Sequence, residues 1–281
     1  MKKIAVIGSG TMGNGIAHVF ALKGFQVQLF DTNSEFLIRA ISVINKNLER
    51  QVNKQIISVD EKEFAQKNIK TETLLANLDP EVELVIEAIV ENKQAKVQLY
   101  NEITPLINNS CIIATNTSSI SITELAPKNI ANRFIGMHFM NPVPMMELVE
   151  IIKGYSTSED TLNLIVATVK LLNKKPVVVN DYPGFIANRI LMPMINDAIF
   201  ALYEQVATAE DIDQVMKLGM NHPMGPLALA DFIGLDICLN ILEVLYNGFN
   251  DSKYRPCPLL KNMVNSGNLG RKTGKGFFTY S

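Results

Sequence analysis

His138 is the residue of this chain whose type and setting point most directly to proton chemistry. It ends the apolar run Arg-Phe-Ile-Gly-Met-His and leads into Phe-Met-Asn-Pro-Val-Pro, a strand pattern followed by a turn. Ligands in open α/β sheets bind beyond the carboxyl ends of strands. An imidazole there can exchange the proton of a substrate hydroxyl near neutral pH. Two acids follow in Met-Glu-Leu-Val-Glu-Ile-Ile, Glu147 and Glu150. Three residues apart on a strand, they face opposite sides. One of them can reach His138, fix its tautomer and stabilise its imidazolium, while the other faces solvent; spacing does not choose between them. The other two histidines read as structural: His18 lies inside a helical pattern and His222 in the turn-rich Asn-His-Pro-Met-Gly-Pro.

A partner for such an acid–base group is written near the N-terminus. Ile4 to Ile7 read as a buried strand, and Gly8, Gly10 and Gly13 follow as G-x-G-x-x-G, with a helix pattern beginning at Thr11 and Met12. Gly24 breaks that helix, Val27 to Phe30 form a second strand, and Asp31 ends it, 18 residues beyond Gly13. Gly8 permits a tight turn, Gly10 lets backbone approach a pyrophosphate, and Gly13 lets helix and strand pack closely. The helix N-terminus offers N–H groups and a partial positive charge to an anion. Asp31 can accept from both hydroxyls of an adenosine ribose and would repel a 2′-phosphate, so NAD is expected rather than NADP.

Further candidates are polar clusters at element ends. Thr115-Asn116-Thr117-Ser118-Ser119 follows a buried strand and offers hydroxyl and amide donors; a loop that simply caps the next helix would read the same way. Asn188 and Arg189 lie one turn into the helix after Pro183-Gly184. Lys46, Arg50 and Lys54 recur every fourth residue, a basic stripe that is either a solvated face or a site for a phosphorylated substrate.

The elements that must hold these residues alternate through the first two-thirds of the chain. Strands are expected at 83–88, 111–115, 133–139, 147–152 and 176–179, and helices at 35–55, 61–68, 93–107, 123–126 and 158–172. That order implies a doubly wound parallel sheet, with room for an antiparallel edge. At Asn180-Asp181-Tyr182-Pro183-Gly184 the character changes. Beyond it only helical patterns occur, at 185–204, 209–218, 226–246 and 257–266. The expectation is a Rossmann-type domain over 1–182 and an all-α domain over 183–281, whose apolar helix faces anticipate a homodimer.

Bulk properties narrow the function classes. The chain has 281 residues, 47% of them hydrophobic, and a net charge of −2, so no global field draws nucleic acid or an anionic membrane. No apolar run reaches the length of a bilayer span. Cys111, Cys238 and Cys257 are odd in number and lack C-x-x-C spacing, which argues against a disulfide framework or a zinc site. A strand beginning within three residues of Met1 leaves no room for a secretory signal, and a cytoplasmic setting is expected.

Five motifs in order resemble the L-3-hydroxyacyl-CoA dehydrogenase family. They are Ala-Thr-Asn-Thr-Ser-Ser, Gly-Met-His-Phe-Met-Asn-Pro-Val-Pro, Asp-Tyr-Pro-Gly-Phe-Ile-Ala-Asn-Arg-Ile, Asn-His-Pro-Met-Gly-Pro-Leu-Ala-Leu-Ala-Asp and Gly-Arg-Lys-Thr-Gly-Lys-Gly-Phe. The resemblance spans the chain and is nearest to single-function, short-chain members. It implies NAD-dependent interconversion of (S)-3-hydroxyacyl-CoA and 3-oxoacyl-CoA in fatty-acid or butanoate metabolism. The family's catalytic histidine corresponds to His138, its partner acid to Glu150 rather than Glu147, its substrate-orienting serine to Ser118 and its amide to Asn188. Asp31, Glu91, Lys96, Ser118, Asn141 and Lys272 correspond to positions that contact NAD. Lys54, with Arg50 nearby, corresponds to the region that meets the CoA phosphates, which would give the basic stripe a purpose. Dehydrogenases of similar architecture that use a catalytic lysine fit less well. A non-enzymatic NAD-binding structural or regulatory relative is the alternative, and the intact site residues speak against it.

Overall fold

In the computed structural model, which describes residues 1–280, the chain divides into two compact units, Met1–Asp181 and Tyr182–Ser281. The first is an eight-stranded sheet. Its strands are β1 (Lys3–Ile7), β2 (Gln26–Phe30), β3 (Ile69–Glu72), β4 (Leu84–Glu87), β5 (Ile112–Thr115), β6 (Phe134–Phe139), β7 (Leu148–Lys153) and β8 (Lys175–Asn180). They lie in the order β3-β2-β1-β4-β5-β6-β7-β8. The first six are parallel; β7 runs antiparallel to β6, and β8 parallel to β7. The order reverses between β1 and β4, the crevice where doubly wound sheets bind ligands. β4 and β5 are buried at every position, as strands covered on both faces must be.

Six helices belong to this unit: α1 (Thr11–Leu22), α2 (Ser34–Asn53), α3 (Val59–Lys67), α4 (Lys93–Ile103), α5 (Ile122–Leu125) and α6 (Glu159–Leu171). Local signals start them. Asn33 caps α2 by accepting from Glu35 N at 2.8 Å, and Ser58 with Glu61 forms a reciprocal capping box on α3. On α2, Leu37, Ala40, Ile44 and Leu48 repeat at helical spacing and enter the sheet core. α4 stops at Ile103 instead of continuing to 107, because Pro105 tightens the next residues into a 3₁₀ turn. β3 was not anticipated: Ile-Lys-Thr-Glu is an outermost strand, only partly buried, and lacks a hydrophobic run.

The second unit contains α7 (Ala187–Tyr203), α8 (Ala209–Gly219), α9 (Pro226–Ile233), α10 (Leu235–Phe249) and α11 (Pro258–Asn265). Its core joins Met192, Ile195 and Ile199 of α7 to Leu227, Cys238, Leu242 and Leu260 of the later helices. The single helix expected over 226–246 is two. Gly234, with φ of 105°, turns the chain between α9 and α10, a conformation that glycine adopts readily and other residues rarely do.

Candidate active site

Register builds the centre of the site. β6 and β7 pair so that His138 and Glu150 lie directly opposite, and the His138 Nδ1–Glu150 Oε2 distance is 2.8 Å. Cross-strand neighbours on one face are the closest side-chain pairs a sheet offers. Glu150 is 0% and His138 9% exposed, so the pair interacts with little screening by water. The choice that spacing left open is thereby made. Glu147 precedes β7 and forms a solvent-exposed ion pair with Lys175 at 3.0 Å. The loop after β5 is tied to the same strand by Asn116, whose Oδ1 accepts from Phe139 N at 2.9 Å.

That loop is organised by two glutamates. Glu91 Oε1 accepts from Thr117 Oγ1 (2.6 Å), Ser118 N (2.8 Å) and Ser118 Oγ (3.1 Å), and its Oε2 lies 3.3 Å from Lys96 Nζ. Burial alone would raise the Glu91 carboxyl. The Lys96 ammonium and the Thr117 and Ser118 donors outweigh it and hold the group below the usual carboxylate range. Lys96 is itself buried and donates to Glu87 Oε1 at 2.6 Å. The other Glu87 oxygen accepts from Tyr100 OH (2.6 Å) and Thr115 Oγ1 (2.7 Å). Neither Glu87 nor Tyr100 was singled out from the sequence. The available signal was a carboxylate closing the apolar run Leu-Val-Ile, since a buried charge requires partners.

The glycine loop separates internal packing from ligand space. A Cβ on Gly8 would lie 2.5 Å from Ala88 O, and one on Gly13 would lie 1.7 Å from Gly8 O, so both are required by the turn joining β1 to α1. A Cβ on Gly10 would meet nothing within 4 Å. Gly10 is also the N-cap of α1 and supplies no side-chain cap. The helix terminus, led by Thr11 and Met12, is thus left open to an external acceptor, which fits the pyrophosphate of a dinucleotide. Asp31, at the end of β2, accepts through Oδ2 from Ser9 N (2.9 Å) and Ser9 Oγ (2.7 Å), and through Oδ1 from Asn33 N (3.2 Å). It is thus locked beside the glycine loop, where a ribose-binding acid belongs.

The remaining candidates are placed individually. Arg50 is exposed on the last turn of α2 and Lys54 is its C-cap residue, where a cation complements the helix dipole. Asn141 is exposed just past β6, before a cis bond to Pro142. In the helical unit, Asn188 is buried in the first turn of α7. It follows Gly184 (φ 72°) and Phe185 (φ 51°), the second a left-handed conformation that costs a non-glycine residue energy. Arg189, beside it, stacks over the Phe249 ring at 4.4 Å. Lys272 Nζ bonds both Asp236 oxygens, at 2.5 and 2.7 Å. His18 is buried in α1, and desolvation pushes its imidazole down to about 4. His222 is half-buried in its turn. Cys111, Cys238 and Cys257 are buried free thiols, and no helix among the described residues is long and apolar enough to cross a membrane.

The family profile described as 3-hydroxyacyl-CoA dehydrogenase, NAD binding domain, matches residues 3–182, and that of the C-terminal domain matches residues 184–280. The chain is 51% identical over 281 residues to a 3-hydroxybutyryl-CoA dehydrogenase of Bradyrhizobium diazoefficiens, covering 100% of this chain and 96% of that one. It is 40% identical to the mitochondrial hydroxyacyl-coenzyme A dehydrogenase of Homo sapiens, covering 100% and 91%. The crystal structure of (S)-3-hydroxybutyryl-CoA dehydrogenase from Ralstonia eutropha superposes with a TM-score of 0.96 at 46% identity, covering 100% of this chain and 99% of that one. The chain belongs to the 3-hydroxyacyl-CoA dehydrogenase family.

Proposed function

We propose that this protein interconverts (S)-3-hydroxyacyl-CoA and 3-oxoacyl-CoA with NAD as its redox partner, acting on short chains of the 3-hydroxybutyryl-CoA and acetoacetyl-CoA type. The observation that carries the reading is the buried His138–Glu150 pair at the carboxyl end of β6. Held at the glycine loop and Asp31, NAD would supply the hydride acceptor for C3 of the acyl chain in oxidation, and its reduced form the hydride donor in reduction.

The residues do the proton work and the holding. Glu150 engages Nδ1 of His138, so Nε2 is the atom that exchanges a proton with substrate. In oxidation His138 removes the 3-hydroxyl proton, and the Glu150 carboxylate stabilises the imidazolium that results. In reduction the same imidazolium protonates the forming alkoxide. Ser118 and Asn188 are assigned to orienting the hydroxyl and the thioester carbonyl, a task whose value is geometric. Gly8, Gly10, Thr11, Met12, Gly13, Asp31, Glu91, Lys96, Asn141 and Lys272 are assigned to the dinucleotide. Arg50 and Lys54 are assigned to the CoA phosphates, because guanidinium and ammonium groups suit a polyanion.

A homodimer through the helical unit is part of the proposal. Ile190, Val215, Leu218 and Phe232 are exposed there, and large exposed apolar side chains mark association surfaces when they are contiguous. A cytoplasmic location and a place in fatty-acid or butanoate metabolism complete it. The test is NADH oxidation with acetoacetyl-CoA, run beside free acetoacetate and with NADPH in place of NADH. Turnover that requires both CoA and NADH supports the reading. NADH binding without turnover on any short acyl-CoA would move the weight to a non-enzymatic NAD-binding protein.

A further inference from the structure

Glu87 takes no part in the acid–base step, yet two hydrogen-bond routes lead from it to the loop that carries Ser118, one ending at Thr117 N and the other at Ser118 itself. The first passes through β5: Thr115 Oγ1 donates to Glu87 Oε2 at 2.7 Å, and Thr117 N donates to Thr115 Oγ1 at 3.3 Å. The second passes through α4. Lys96 Nζ bridges Glu87 Oε1 (2.6 Å) and Glu91 Oε2 (3.3 Å), and Glu91 Oε1 gathers Thr117 Oγ1 together with Ser118 N and Oγ. Ile89 N (2.8 Å) and Tyr100 OH (2.6 Å) fill the remaining acceptor positions of Glu87. Glu87 is 0% and Lys96 1% exposed, whereas the Glu91 side chain is 37% exposed. The rigid end of the chain of contacts is therefore Glu87, and the end facing the loop is Glu91.

We propose that Glu87 is a positioning residue for the dehydrogenase reaction, setting the place of Ser118 through Thr115 on one side and through Lys96 and Glu91 on the other. The proposal rests on the assignment of Ser118 to substrate orientation. Its charge matters as well as its shape. One buried ammonium is shared between two carboxylates, and the shorter contact is to Glu87. Neutralising Glu87 leaves Glu91 as the only counter-charge of Lys96, which draws the ammonium and the Glu91 carboxylate together and shifts the oxygen that collects the Ser118 donors. Small misplacements of an orienting group lower turnover strongly.

The experiment compares E87Q, T115V, T115S and the double variant E87Q/T115V with wild type in acetoacetyl-CoA reduction, with Tm measured for each. Gln is isosteric with Glu and can still accept from Lys96 and Ile89; Val is isosteric with Thr but has no hydroxyl. Expected are a fall in kcat of about 10–100-fold for E87Q and about 3–10-fold for T115V, with KM for acetoacetyl-CoA changed less than about threefold. T115S, which keeps the hydroxyl, restores wild-type kcat. The double variant falls by less than the product of the single effects, because both act through one acceptor. Lowered Tm with kcat retained, or a T115V loss that T115S does not restore, overturns the proposal. If E87Q does not fold, the T115V and T115S pair decides alone. Wild-type turnover in the same assay separates this question from the functional reading: an inactive wild type contradicts the function, whereas an active wild type matched by folded variants contradicts only the role of Glu87.

Discussion

In the helical unit, Asp213 and Asp231 are buried carboxylates that accept chiefly from backbone. Asp213 takes Leu227 N (2.8 Å) and Ala228 N (2.9 Å) at the start of α9; Asp231 takes Phe277 N (3.0 Å), Phe278 N (2.9 Å) and Tyr280 OH (2.9 Å) from the C-terminal segment. In the sheet unit, Glu87 and Glu150 are just as buried but face Lys96 and His138, side chains that carry protons and charge. The partner, not the burial, separates the two roles. A carboxylate satisfied by peptide N–H groups holds a helix start or a chain end in place. One satisfied by a titratable side chain fixes where a charge sits during a reaction.

Exchanging charge for shape at each kind of site should separate activity from stability. The largest effect is expected at Glu150. In E150Q the side chain still accepts from the imidazole but no longer balances imidazolium, and kcat should fall on the order of 10²–10³ while Tm changes little; circular dichroism melts beside steady-state kinetics would show this. Asp231→Ala should do the reverse. Three part-buried donors lose their shared acceptor, which costs about 2–3 kcal/mol in a urea titration, while the folded fraction keeps wild-type kcat. A large kcat loss in folded D231A would dissolve the distinction.

His18 sharpens it from the other side, as a buried titratable group with no catalytic assignment. Its folded pKa is depressed by burial to about 4 from an ordinary 6.5. The unfolded chain therefore binds the proton first as pH falls, and the native state loses stability between about pH 6.5 and about pH 4. At pH 5 the loss from this group is about 2 kcal/mol. His18→Gln should flatten the stability–pH curve by that amount and leave the pH–rate profile alone. Parallel curves for variant and wild type would show that His18 does not titrate in this range.

Much of the sheet unit was legible because its signals are local. The strand, three glycines, helix and acid of residues 4–31 carry their own spacing, and His138 announces itself at the end of an apolar run. What spacing could not supply came from pairing. Spacing alone does not separate Glu150 from Glu147; the family resemblance favours Glu150, and the β6–β7 register sets it opposite His138, while Glu87 gained a role only when β4, β5 and α4 came together. β3 escaped notice because an edge strand need not be apolar. The helical unit was misread in one place, at Gly234, because an apolar stripe continues across the break between α9 and α10.

Two motifs that carried the family resemblance prove to hold structure. In Asn-His-Pro-Met-Gly-Pro, a Cβ on Gly225 would lie 2.1 Å from Asp213 Cγ; in the C-terminal segment, one on Gly276 would lie 1.9 Å from Asp231 Oδ1. These glycines are there to let a carboxylate reach the backbone, a requirement that sequence spacing does not display.

If His138, held by Glu150, is the acid–base group of the reaction, its loss should strike the proton step and spare cofactor binding. Acetoacetyl-CoA reduction and NADH affinity measured together in His138→Gln should show turnover down about 10²–10⁴-fold, the range for loss of a general acid–base, with NADH affinity nearly unchanged. Turnover at the wild-type rate in that variant would contradict it.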